Sequence, residues 1–320
     1  MIDLFLMSKP VHLLHILNIK KVVKHNQSIL VVVNNFNNAY DFFKSIKGLN
    51  LFLDVYFVSH EDDVPSLLVT FDINNIYYNW DHGPDVKSLL AITHKSYYLY
   101  DDGFFSYVDN FEQGGLITST LRRFYRCLKG ERKLRLGYSS DTKGIYLYYP
   151  KSFEFYHNDY PNEVYPMPVG FIDAMTEFKN VFNAIYKNDF NYNGIHYKKV
   201  AVYVTDKSND FKENIDGILK KNDVEKLYVK LHPHIKTNTL DIISEIDIID
   251  SSLPVEFILL SIFSNCEKLI VYHHNSSAGF HMEGYKGVEI INLGRDDLLT
   301  KKFNQLTTHI KGEAFERKAE

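Results

Sequence analysis

At 320 residues, 45% of them hydrophobic, the chain exceeds one ordinary domain and carries enough apolar mass for two cores. Its 36 basic and 40 acidic residues, a formal net charge of -4, are spread along the sequence and exclude a whole-protein field for nucleic acid. Cys127 and Cys266 stand far apart without CxxC spacing, which excludes a disulfide framework or cysteine-rich zinc site and fits a reducing cytosol.

The first residues, MIDLFLMSKPVHLLHILNIKK, read as strand, turn and helix. Two short apolar runs are split by Ser8, Lys9 and Pro10, and the positive cluster that leads a signal peptide is missing. No window reaches the roughly 18 to 20 uninterrupted apolar residues of a transmembrane helix. The expectation is a cytoplasmic protein whose membrane association, if any, is peripheral, at the inner face of the cytoplasmic membrane.

Farther along, apolar strand-like runs at Ile29 to Val33, Leu51 to Val58 and Ser66 to Phe71 alternate with helix-like stretches at Val11 to Val22 and Asp41 to Ile46. That alternation predicts a parallel sheet wrapped by helices. Arg122 to Arg135 holds seven basic residues and one acid, a charge pattern suited to an anionic membrane or simply to a solvated helix face.

A helix-like run from Phe171 to Phe178 precedes an Asn- and Tyr-rich stretch at 183–197, poor core material that marks the interdomain connection. The domains are set at 1–180 and 181–320. The second half repeats the rhythm: strand Lys199 to Val204, helix Asn209 to Lys221, strands Lys226 to Leu231 and Ile246 to Ile249, helix Pro254 to Phe263, strand Leu269 to Tyr272. The tail, KGEAFERKAE, reads as frayed. The predicted fold class is α/β, two Rossmann-type doubly wound domains facing a central cleft.

In open α/β sheets, ligands bind beyond the carboxyl ends of the strands, so polar residues that follow an apolar run are the first candidates. In YYLYDDGFFSY a strand ends in Asp101, Asp102 and Gly103. Adjacent carboxylates on a strand point opposite ways, so one faces the ligand and can take a proton from an attacking hydroxyl. Asp101 is assigned as that base, with Asp102 in support, against the plain alternative of an Asp-Asp-Gly turn.

In YVKLHPH, His232 follows a strand carrying Lys230, and Pro233 restricts the backbone of both itself and His232. A histidine there can hydrogen-bond a phosphate, although His-Pro also makes an ordinary surface turn. In LIVYHHNSSAGF a strand runs into Asn275, Ser276 and Ser277, where a helix start would offer amides, a dipole and two hydroxyls to an anion, or merely a helix cap. Glu256, in LPVEFILL, stands where an acidic residue accepts from ribose hydroxyls or serves as a first-turn charge.

The order of these three islands resembles the bacterial sialyltransferases of the lipooligosaccharide, capsule and O-antigen type. LYDDGFFSYVD is similar to their Asp/Glu-Asp/Glu-Gly motif, VKLHPH to their His-Pro motif and HNSSAGF to their paired-serine motif, and Glu256 resembles a ribose-binding glutamate of some relatives. The resemblance spans roughly residues 97 to 280 and leaves the acceptor-contacting loops unassigned. It implies a GT-B fold with the acceptor and the base on the N-terminal domain and the nucleotide on the C-terminal one.

By this likeness Asp101 deprotonates the acceptor. His232, Ser276 and Ser277 bind the CMP phosphate, and Gly103, Pro233 and Glu256 complete the donor-binding set, with Lys230 and Asn275 supporting. The implied partners are CMP-sialic acid and a galactose-terminated glycan, with no nucleic acid, no metal or other cofactor and inversion at the anomeric carbon; a lipid-linked acceptor, peripheral membrane contact and homodimerisation are left open. Three other readings stand beside it: a transferase for another CMP-keto-sugar such as Kdo, a metallohydrolase built on His232, His234, His273, His274 and His281, and a non-catalytic nucleotide- or glycan-binding protein.

Overall fold

The computed structural model describes residues 2–23, 27–69, 71–80, 97–108, 136–186, 196–206, 211–221, 224–232, 246–249, 254–276, 279, 281–283 and 285–319. The chain divides into two compact units, Met1–Gly170 and Phe171–Glu320. The sequence puts this boundary near residue 180; the helix Phe171–Glu177 belongs instead to the second unit. The reason is packing: the Phe171 ring stacks on His281 with centroids 3.9 Å apart, and Ile172 packs against the second unit's core.

The first unit runs β1 (Ile2–Met7), α1 (His12–Lys20), β2 (Gln27–Val33), α2 (Ala39–Lys47), β3 (Asp54–Val58), α3 (Val64–Leu68), β4 (Ile73–Tyr78), β5 (Tyr97–Tyr100), α4 (Phe104–Tyr107), β6 (Thr142–Leu147), α5 (Pro150–Tyr156) and β7 (Glu163–Pro166). Its seven strands lie in the order β3-β2-β1-β4-β5-β6-β7, every pair parallel. Strand β2, QSILVVV, is buried from Ser28 onward on both faces, as a central parallel strand covered by helices must be.

Helix α2 buries Ala39, Phe42 and Ile46 on one face, has Asp41 in its first turn and Lys44 and Lys47 in its last, and so follows the helical period and the macrodipole together. The apolar run Ser66 to Phe71, which reads as a strand, is helical here through Leu68: Pro65 opens α3 and the strand begins only at Ile73.

Helix α1 differs from α2 because it is buried all round, from His12 to Ile19. Leu13, Leu14, Ile16, Leu17 and Ile19 supply apolar contact worth about 1.5–3 kcal/mol each. The polar residues at 12, 15 and 18 each have a partner: His12 meets Asp102, His15 Nδ1 lies 3.1 Å from the Tyr148 hydroxyl, and Asn18 exchanges two hydrogen bonds with the backbone of Val169 at 2.7 and 3.1 Å.

The second unit runs α6 (Phe171–Glu177), α7 (Lys179–Ile185), β8 (Tyr197–Val204), α8 (Phe211–Lys221), β9 (Lys226–Lys230), β10 (Ile246–Ile249), α9 (Val255–Phe263), β11 (Cys266–His273), β12 (Val288–Asn292) and α10 (Leu298–Ala319). Its strands are ordered β10-β9-β8-β11-β12, all parallel. Alternation along β11 sends Leu269 and Val271 to the face covered by Ile258, Leu259 and Ile262 of α9, and Ile270 and Tyr272 to the face covered by Ile215 and Ile218 of α8.

The terminal stretch expected to fray continues as helix to Ala319, extending the face on which Phe303, Leu306 and Ile310 are buried. Among the described residues, no helix is long and apolar enough to cross a membrane. The basic segment Arg122 to Arg135 and most of the connection at 183–197 lie outside the described residues.

Candidate active site

Both sheets have a switch point, between β1 and β4 in the first unit and between β8 and β11 in the second, where connections diverge and leave a crevice at the strands' carboxyl ends. The carboxylate pair Asp101 and Asp102 follows β5, beside β4, in the first unit. Gly103 turns the chain with φ 80° and ψ -147°, a conformation that side chains with a Cβ resist, and α4 follows.

The two carboxylates point into different surroundings. Asp101 has no exposed surface, and its oxygens accept from the Gly103 amide at 2.8 Å, the Tyr148 amide at 3.3 Å and the Tyr107 hydroxyl. Burial pushes its carboxyl up to about 7, against the pull of those three donors. The Tyr107 hydroxyl in turn accepts from the Tyr149 amide at 3.2 Å, so Asp101 stitches the β5 turn to the end of β6.

Asp102 keeps 13% of its side chain exposed. Its Oδ1 receives Lys9 Nζ at 2.6 Å and His12 Nε2 at 2.8 Å, while its own amide donates to Ser106 Oγ at 2.7 Å. Although burial opposes ionisation, the Lys9 charge and the His12 hydrogen bond hold Asp102 well below the usual carboxylate range. Burial also lowers His12, against the opposing pull of Asp102. Neither Lys9 nor His12 stood out in the sequence; their signal was a buried-helix stripe, H-x-x-H-x-x-N at 12, 15 and 18, directly after the turn that ends β1.

In the second unit, His232 follows β9 and its amide donates to Thr205 Oγ1, beyond β8, at 2.8 Å. The Thr205 amide donates to the carbonyl of Lys230, itself buried, so the loops after β8 and β9 are tied together. Ser276 follows β11, on the other side of β8, so His232 and Ser276 share one rim two strand spacings, roughly 10 Å, apart. Glu256 is the second residue of α9, and its charge lies close enough to Tyr186 to push that hydroxyl further up. Pro233, Ser277 and His234 lie outside the described residues.

The turn around Ser276 is held by groups that sequence reasoning used differently. The Ser276 amide donates to His273 Nδ1 at 3.1 Å, so it is spent inside the protein rather than offered to an anion. His273 is fully buried, and burial, helped by His274, lowers it to about 4, which keeps Nδ1 an acceptor. Asn275, left-handed at φ 51°, is locked by Asn292 in two hydrogen bonds of 3.1 and 2.8 Å and by Thr300 at 3.0 Å. Its side chain is a strut between the loops after β11 and β12.

A cavity of about 410 Å³ opens at the β8–β11 switch point, with Asp206, Glu213, Asn214, His274, Asn275 and Arg295 among its lining. That volume falls within the range of small-ligand pockets. Carboxylates outnumber cations along this lining, an arrangement that accepts hydroxyl donors better than it accepts phosphate. Among the histidines of the second unit, His273 at the end of β11 packs against Phe303, His274 in the turn after it packs against Tyr203, and His281 stacks on Phe171. Among the described residues, no group of three or more His, Cys, Asp or Glu side chains could hold a metal ion.

No family model matches the sequence, and no curated protein matches it. Among solved structures, the wall teichoic acid polymerase TagF, soaked with CDPG, is 13% identical over 97% of this chain and 82% of its own, with a TM-score of 0.51. UGT89C1 of Arabidopsis thaliana, complexed with quercetin, is 9% identical over 98% of this chain and 90% of its own, also at 0.51. The fold is of the GT-B type. The glycosyltransferase SnogD of Streptomyces nogalater also matches, at 11% identity over 98% of this chain and 94% of its own, with a TM-score of 0.42. The GT-B architecture accounts for the two parallel sheets, each with its polar residues gathered at the carboxyl ends of the strands.

Proposed function

We propose that this chain is a glycosyltransferase that moves sialic acid from a CMP-activated donor onto a hydroxyl of a galactose-terminated glycan, with inversion and without a metal. The observation that carries this reading is the carboxylate pair at the end of β5, where Asp102 keeps an exposed edge beside its buried neighbour in a GT-B fold. The first unit supplies the base and meets the acceptor. The second holds the donor, with His232 and Ser276 toward the phosphate, Glu256 toward the ribose, and Ser277 and Pro233 completing the set.

Sialic acid leaves through an oxocarbenium-like centre, so positioning and stabilisation of the departing phosphate dominate the rate. The His232 and Ser276 rim supports that role because its backbone is pre-tied by Thr205 and His273 and needs no rearrangement. The sugar itself is inferred from the sequence likeness, since phosphate and ribose contacts do not read it.

The test is release of CMP from CMP-sialic acid, followed with a panel of galactose-terminated acceptors in the presence of EDTA. Turnover with mass gain on the acceptor supports the proposal. Turnover only with CMP-Kdo reassigns the donor, and CMP binding without turnover of any donor across the panel rejects the enzyme reading.

A further inference from the structure

Resting on the transfer reading above, we infer that Asp102, through Oδ2, takes the acceptor proton, that His12 is the positioning residue which aims it, and that Asp101 belongs to the scaffold. The two carboxylates are neighbours in sequence but opposites in access. Asp101 has no exposed surface and three donors on its two oxygens. A substrate hydroxyl could reach it only after Tyr107 or a backbone amide had been displaced.

Asp102 is arranged the other way. Both of its side-chain partners, Lys9 and His12, converge on the same oxygen, Oδ1. Among the described residues, Oδ2 has no hydrogen-bond partner, and it is not one of the buried side-chain atoms left without one, so the exposed 13% of the side chain includes it. A carboxylate anchored by one oxygen with the other facing solvent is the geometry a general base requires.

His12 sets that geometry. Its Nδ1 accepts the Ser8 amide at 3.3 Å, so in the neutral ring the proton is on Nε2, which donates to Asp102 Oδ1 at 2.8 Å. The ring is fully buried and packs edge-on to Tyr100 at 5.3 Å, which leaves it no freedom to turn. Lys9, half-exposed, adds charge but not rigidity.

In the step that follows, the acceptor O–H bond breaks and its proton passes to Asp102 Oδ2. The hydroxyl oxygen's electron pair forms the new bond to the anomeric carbon. The bond from that carbon to the donor phosphate oxygen breaks, and its pair leaves with CMP. A carboxylate as weakly basic as Asp102 takes the proton late, when the new bond has already made the hydroxyl acidic.

The experiment compares the full chain with Asp102→Asn, Asp101→Asn, His12→Leu and His12→Gln, measuring kcat and donor KM by CMP release alongside thermal unfolding. Asp102→Asn is expected to lower kcat by ~100-fold or more with little change in donor KM. His12→Leu is expected to lower kcat by ~10-fold, and His12→Gln, which keeps an N–H donor of similar reach, to restore most of it. A His12 that only stabilised the fold would lower the unfolding temperature and leave kcat per folded molecule unchanged, which overturns its positioning role. An Asp102→Asn chain within threefold of wild-type kcat, or a folded Asp101→Asn chain that loses ~100-fold, overturns the base assignment. No turnover by the unsubstituted chain fails the transfer reading itself instead.

Discussion

The two units are built on the same parallel strand order, 3-2-1-4-5 within each, yet they hold their rim residues by different means. In Met1–Gly170 the rim is ionic and set into the core: Asp101 has no exposed surface, and Asp102 is clamped by Lys9 and by a helix buried on every side. In Phe171–Glu320 the rim is held by neutral polar struts, His273 to Ser276, Thr205 to His232 and Asn292 to Asn275. Buried charges couple a site to folding far more tightly than neutral hydrogen bonds do. Substitutions in the first rim should therefore register first in stability, and those in the second rim first in ligand affinity.

The largest expected effect is at Asp101. Asp101→Ala leaves the Tyr107 hydroxyl and the amides of Gly103 and Tyr148 without their acceptor, at a cost of about 3–5 kcal/mol. Hydrogen exchange should lose protection at Tyr148 and Tyr149 while β8 and β11 keep theirs. Equal loss in both units would break the contrast drawn between them.

Gly103→Ala comes next, at about 1–3 kcal/mol, because its positive φ and extended ψ are strained for any residue with a Cβ. Asn292→Ala removes the carbonyl that receives the Asn275 and Gly294 amides and the amide that reaches Asn275 and Asn304. It is expected to cost only about 1–2 kcal/mol, since the site is part-buried rather than in the core, and to weaken CMP binding measured by calorimetry more than it lowers the unfolding temperature. His232→Ala should lower kcat/KM by roughly 10- to 100-fold through both donor KM and kcat with an unchanged melting curve.

The smallest net effect is a slope in pH, because groups with large opposite shifts offset one another. His273 and His281 are held near 4 and 3 in the folded chain by burial, below the ordinary histidine value of 6.5. The unfolded chain then binds more protons between those values, so their share of stability is intact above 6.5 and falls as pH drops toward 4 and then 3. Asp101 runs the opposite way: raised from 3.8 to about 7, it removes stability as pH rises across that interval. Unfolding midpoints from pH 4 to 7, with His281→Leu and Asp101→Asn, separate the two slopes.

Much of this was legible in one dimension. Strand-length apolar runs alternating with helical periods announced two parallel α/β sheets, because the stretch of a strand that is buried on both faces, Ile29–Val33 in β2 and Leu269–Tyr272 in β11, has to be largely apolar. The polar residues after β5, β9 and β11 were legible for a related reason: they follow apolar runs at the carboxyl ends of parallel strands, where open α/β sheets bind their ligands. Where reading failed, one cause was local and the other three-dimensional. Ser66 to Phe71 looked like a strand until Pro65 opened a helix, and the helix at Phe171 joined the second unit because His281 waited there as a stacking partner.

The site divides in the same way. By itself the sequence determined the two-unit α/β class and where the carboxylates, His232 and Ser276 would emerge, since period and strand ends are local properties. Only tertiary structure decided which of two adjacent aspartates keeps an open oxygen. That choice rests on contacts made across 93, 90 and 47 positions of chain, from Lys9, His12 and Tyr148, and no local pattern encodes which long-range partner fills which lone pair.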